Sequence, residues 1–264
     1  MPYVLKERPR PLAWRQYRTR IPWKPLLPLY YMEWLAQWTS YLLGKWSFLE
    51  VLEYSGSLSI LIGVIFYFAG AKDRLEQKHY QAWQVINTAQ GKGGSGGRID
   101  ALQELNADGV PLVGVDVHDA FLQGLQLPSA DLRRADMSSA DMKGADLHGA
   151  SLDDAAFIYA NLRNANLRGA GLEFARFRNT DLHGADLSRA ILSNADLSGV
   201  DLREADLTAV ADWQLIRSIN LANILGVKNA PDGFIAWAKK NGAVEVADDN
   251  QWNAMFKETA TTRE

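Results

Sequence analysis

The sequence predicts a narrow solenoid wound from one short unit, preceded by a helical segment and closed by helices. Three observations carry this. Residues 130–208 repeat a five-residue unit without a gap, centred on every fifth residue from Leu132 to Leu207, and each centre is Leu, Met or Phe. Two residues before each centre sits a small side chain, Ala in 14 of 16 units, with Thr180 and Val200 the exceptions. Asp or Asn precedes the centre in 11 of the 16. A period of five matches neither a helix nor a strand. Such a unit cannot bury its own apolar side and must stack on copies of itself. One large and one small inward position suit a narrow coil with four units to the turn.

This pattern, as in SADLR-RADMS-SADMK-GADLH from Ser129 onward, resembles the pentapeptide-repeat family. The resemblance implies a mainly β fold, a right-handed, quadrilateral β-helix with about 20 residues per coil. A degraded register continues upstream through Leu112, Val117, Leu122 and Leu127, which makes about five coils over 110–226. At a strand spacing of about 4.8 Å the coil region is about 24 Å long. Downstream the register breaks at Asp212, and 215–226 read as an irregular last coil.

The flanking segments follow in order. Residues 1–28 form a basic arm whose prolines keep it from being helical. Residues 29–53 include Tyr30, Tyr31, Trp34, Trp38 and Tyr41, with Glu33, Gln37 and Ser40 on one stripe, an amphipathic helix of interfacial character. Residues 54–71 carry no charge and read as a transmembrane helix. Ser55, Ser59 and Gly63 sit four apart on its side, a spacing that lets membrane helices approach closely. Residues 72–97 read as a polar helix ending in the tether GKGGSGG, on which the coil reorients. Residues 98–109 read as a capping helix with Ile99, Leu102 and Leu105 on one face. Residues 227–264 read as a helical cap, with Asn229 as N-cap, Pro231 in the first turn and Gly242 at the end. Caps of this kind protect the open ends of a solenoid.

Chemistry is not written into this chain. The four histidines have no metal-ligand spacing, and no nucleophile elbow or phosphate-binding loop occurs. The aspartates are periodic, and a ladder of near-identical environments does not make an acid and a base. No catalytic residue, cofactor or metal is expected. Departures from the repeat mark the candidate site: Ile158, Tyr159, Phe174, Arg176, Arg178 and Ile191, an exposed apolar patch with arginines of the kind that forms interface cores.

These features predict a membrane-tethered, non-enzymatic scaffold or adaptor for protein–protein interaction, possible as an accessory subunit of a membrane complex. Membrane lipid, an unidentified membrane protein and a second copy of the chain are its expected partners. The expected place is a bacterial inner or thylakoid-type membrane, with the coil on the cytoplasmic side. The alternative comes from the resemblance: some family members mimic DNA and act on gyrase. Residues 110–210 hold 15 acids against nine bases, but the bases interrupt the acidic columns, and nucleic acid itself is an unsuitable partner at a net charge of −3.

Overall fold

The computed structural model describes residues 9–21, 27–44, 47–88 and 95–261, with side chains for all of these except 44–57 and 258–261. The chain divides into two compact units, Met1–Arg74 and Leu75–Glu264.

The first unit is helical. A short helix, α1 (Trp14–Arg18), fits between Pro11 and Pro22, so the basic arm is not helix-free. Next come α2 (Leu27–Gly44) and α3 (Ser47–Ala69). The aromatic side chains of α2 find partners within this unit. Trp34 Nε1 donates to the Leu12 carbonyl at 2.7 Å, and Trp38 Nε1 donates to the same oxygen at 3.3 Å. The ring of Trp14 meets Tyr31 edge-on at 4.9 Å and Trp34 at 5.4 Å.

The expected transmembrane helix is not present: among the described residues no helix is long and apolar enough to cross a membrane. The reason is length. The charge-free part of α3 runs only from Tyr54 to Ala69, where Gly70 ends the helix. At 1.5 Å per residue it rises about 24 Å, short of the roughly 30 Å of a hydrocarbon core. Glu50 and Glu53 lie upstream of it in the same helix.

The second unit opens with most of α4 (Ala71–Thr88), then α5 (Arg98–Ala107). Ala82 and Ile86 of α4 and Leu102 and Leu105 of α5 are buried in one apolar core that continues into Leu112 and the coil. Lys78 pairs with Glu104 and Asp108, both at 2.9 Å, which ties α4 to α5. Both helices flanking residues 89–94 thus contribute to one core with the coil, and most of the expected tether, residues 91–94, lies outside the described residues.

The coil is built from single-residue contacts. Parallel bridges join residues 20 apart, from Asp116 and Asp136 through Ile191 and Ala211. The centres and the small positions are buried along its whole length. Phe157 and Phe177 stack inside it with ring centres 4.8 Å apart. No β-strand occurs among the described residues; every bridge is isolated, and the fold is helix, turn and coil. The expected mainly β class is therefore corrected. Each unit places one residue in the left-handed region, as at Arg134, Gly144 and Asp154. A turn every five residues leaves room for one bridging residue, not two in succession.

After Asp196 the spacing lengthens: Asp196 bridges Ser218 and Asp201 bridges Asn223. Two extra residues are absorbed in a 3-10 turn at Trp213–Leu215. Helix α6 (Phe234–Lys240) then buries Phe234 and Ala238, and Trp213 packs against Phe234 and Trp237 at 5.7 and 5.5 Å. Its N-cap is Gly233, whereas Asn229 donates to the Asp206 carboxylate. Helix α7 (Asp249–Thr261) docks through Trp252, whose Nε1 donates to the Leu221 carbonyl, and through an Asp249–Arg203 ion pair of 2.7 Å.

A candidate interaction corner

The repeat's aspartates have a backbone task. In a typical unit four of five N–H groups bond to backbone carbonyls: Asp141 to Ala120, Met142 to Asn161, Gly144 to Arg163 and Ala145 to Met142. The fifth belongs to the residue after the centre. It is accepted by the Asp or Asn side chain two positions earlier: Ser138 N–H by Asp136 at 3.0 Å, His183 by Asp181 at 3.0 Å, Ser188 by Asp186 at 2.8 Å and Arg203 by Asp201 at 3.0 Å. Short Asx side chains suit such local turns. A satisfied N–H of this kind contributes about 0.5–1.5 kcal/mol.

Five of the 16 units lack the Asx acceptor: Ser151, Ala156, Gly171, Arg176 and Ile191. They are scattered in sequence and gathered in space. Ser151, Gly171 and Ile191 bridge one another in one column, and Ala156 bridges Arg176 in the next. Between these columns runs a single corner, Arg134, Asp154, Phe174 and Asn194, all at positive φ near 60°. Left-handed backbone is disfavoured for bulky residues, costing about 1–2 kcal/mol. Phe174 adopts it at φ 60° while 55% exposed, and Tyr159, on the next corner, does so at φ 61° while 64% exposed. Neither strained ring is buried by the fold.

A groove of about 560 Å³ lies along this corner, lined by Arg134, Asp154, Phe174, Arg176, Asn194, Asp196 and Arg217. Asp196 is nearly buried, which works against its charge, but hydrogen bonds from the Ser198 hydroxyl and N–H and from Arg178 hold its carboxyl below the usual range. Arg178 Nη2 lies 3.2 Å from Asp196 Oδ2.

Of the six residues expected from the sequence, Phe174 and Arg176 line the groove. Arg178 stands on the same face, one coil from the half-buried Ile158. Tyr159 bounds the far edge of that face, and Ile191 sits on the face before Phe174. Arg134, Asp154, Asn194, Asp196 and Arg217 were not expected. Counting steps of 20 from Phe174 and Arg176 finds the first four; Arg217 is hidden by the inserted residues. In the first unit, among the described residues, no atom lies within 4 Å of where a Cβ on Gly63 would sit. Ser59 lies on the same helix, and the side chain of Ser55 is outside the described residues. Among the described residues no cluster of His, Asp and Glu could hold a metal ion.

Geometry and repeat together define a solenoid whose surface, not an enclosed cavity, carries the variable chemistry. Residues 112–149, 145–184 and 170–208 match the model of the family "Pentapeptide repeats", in eight copies. The coil, over residues 112–208, is built of pentapeptide repeats. Among solved structures it is similar to Rfr23, a pentapeptide repeat protein of the cyanobacterium Cyanothece 51142: 34% identity over 33% of this chain and 60% of that chain, with a TM-score of 0.33. The chain thus spans less than two thirds of that relative. It is also similar to a pentapeptide repeat protein from the Arabidopsis thaliana thylakoid lumen, at 27% identity over 50% of this chain and 88% of that one, TM-score 0.32. QnrB1, a plasmid-mediated fluoroquinolone resistance protein, aligns at 14% identity over 56% of this chain and 91% of its own, TM-score 0.30. No curated protein matches the sequence.

Proposed function

We propose that this protein is a non-enzymatic adaptor that holds another protein against the Arg134–Asn194 corner of its coil. The observation that carries this reading is that the five Asx-lacking units within residues 130–208 all fall on the two faces beside one corner. Exposed Phe174 and Tyr159 supply apolar anchors, and Arg176 and Arg178 supply the polar contacts that interface cores favour.

The N-terminal unit supports the second half of the reading, attachment at a membrane surface. Ile60, Phe66 and Phe68 of α3 are 71%, 72% and 69% exposed within that unit, and a large apolar surface of this kind marks a binding or membrane face. Lying against a bacterial inner or thylakoid-type membrane, with the coil in the cytoplasm, covers that surface without a span. The DNA-mimic alternative gains no such support. Its aspartates are engaged in Asx turns, and Arg133 and Arg203 pair with Asp131 and Asp201 at 2.7 and 2.6 Å.

The test is capture by the tagged full chain from gently extracted host membranes, compared with a Tyr159→Ala/Arg178→Glu chain. A discrete partner retained by the unaltered chain and lost by the variant supports the adaptor. The same partner recovered equally by both overturns the corner as its binding site. Flotation of the chain with anionic vesicles tests the attachment; a chain that stays at the bottom of the gradient overturns it.

A further inference from the structure

We infer that the groove at this corner takes an extended acidic segment of the partner protein, carboxylates seated on Arg134, Arg176 and Arg217 and an apolar side chain on Phe174. The inference rests on the adaptor reading and adds the chemistry of what binds.

Charge makes the first case. Residues 110–210 carry 15 acids and nine bases, so the coil is negative as a whole. The groove is the reverse. Arg178 is paired with Asp196, which leaves three arginines in the lining facing one carboxylate, Asp154. Arg134, Arg176 and Arg217 make no ion pair among the described residues, whereas Arg133, Arg163 and Arg203 are each held by an aspartate. Unpaired guanidinium groups beside an exposed ring match carboxylates on an amphipathic segment.

Spacing makes the second. Arg134, Asp154, Phe174 and Asn194 stand on four successive coils. At about 4.8 Å per coil, Arg134 and the level of Arg176 are about 10 Å apart, and Arg217 lies about as far beyond. An extended chain rises about 3.3 Å per residue, so carboxylates about three residues apart meet successive arginines. Asp154 and Asp196 lie between these stations. They would repel the unbroken phosphate line of a nucleic acid but fall between the carboxylates of such a segment.

The experiment uses the full chain and a fluorescein-labelled peptide, Asp-Leu-Phe-Glu-Leu-Ser-Asp, with acids three residues apart, read by anisotropy at low salt. A counterpart with lysine in place of each acid and a labelled oligothymidylate are the comparisons. The acidic peptide is expected to bind and to weaken as salt screens it. The Arg176→Glu/Arg217→Glu chain is expected to bind it about tenfold less tightly or worse, since truncation or reversal at a charge contact costs at least this much. Arg134→Gln, a milder change, is expected to weaken it about threefold, and Arg189→Glu, on a different corner, to leave it unchanged. Thermal melting identifies any variant that fails to fold, in which case Arg134→Gln decides. No binding of the acidic peptide, equal binding by the corner variants, or preference for the lysine peptide or the oligothymidylate overturns the inference. If it falls while Tyr159→Ala/Arg178→Glu still abolishes partner capture, the adaptor stands and only the acidic segment is wrong.

Discussion

Two corners of one coil share a backbone and differ in everything else. One runs through Gly144, Asn164 and Gly184, residues that adopt a positive φ at little cost. It is flanked by complete Asx turns at Asp141, Asn161 and Asp181 on one side and Asp146, Asn166 and Asp186 on the other. The other runs through Arg134, Asp154, Phe174 and Asn194 and is flanked by the five units that lack the Asx acceptor. The first corner is arranged for stability. The second forgoes local hydrogen bonds and accepts backbone strain to display arginines and a ring, which is the pattern of a site under functional constraint.

The interior separates these two demands, because it is equally well packed behind both corners. Phe177→Ala, behind the departing face, is expected to cost about 3–5 kcal/mol, and Leu162→Ala, behind a consensus face, about 2–5 kcal/mol, both measured by denaturant unfolding. A small effect of Phe177→Ala alone would mean a loosened interior rather than a specialised surface. Exchange across corners comes next. Gly144→Phe places a bulky residue at φ 68° and is expected to destabilise by about 1–2 kcal/mol. Ala156→Asn restores a missing Asx turn, with its amide able to reach Asp136 as Asn161 reaches Asp141 at 2.9 Å. It is expected to stabilise by about 0.5–1.5 kcal/mol.

The smallest effect is in pH. The Asp131 carboxyl is lowered by its hydrogen bond to Arg133, and that of Asp206 by its bond to the Thr208 hydroxyl. Asp196 is lowered by Ser198 and Arg178 despite burial. Folded values below the unfolded ones stabilise the coil above the ordinary aspartate range, about pH 4, and that contribution fades as pH falls through the lowered values. Melting temperature is therefore expected to fall as pH drops below about 4, less steeply in Asp206→Asn.

The repeat was legible because period, centre and small position each follow from packing in a narrow interior. The reason for Asp was not, since the N–H it accepts is visible only once the turn after the centre is known. Reading strands into the pattern failed for a related reason: residues 20 apart do pair, but the left-handed residue in each unit stops every pairing at one bridge. The span from Tyr54 to Ala71 counted two residues beyond the last residue of the helix, Ala69. Phe174, Arg176 and Arg178 stood out by breaking the repeat. Arg134 did not, because the residue at its repeat position varies from unit to unit, and Arg217 was displaced by the insertion at Trp213–Leu215.

The most direct measurement is paired thermal melting and partner capture for a Tyr159→Asn/Phe174→Asn chain. Asn already occupies the equivalent left-handed positions at Asn164, Asn179 and Asn194. If the two rings are kept for binding, the variant melts at the same or a higher temperature, by roughly 1–2 kcal/mol of relieved strain, and loses its partner. A variant that melts lower and keeps its partner would contradict this, and would make the aromatic corner a structural feature of the coil.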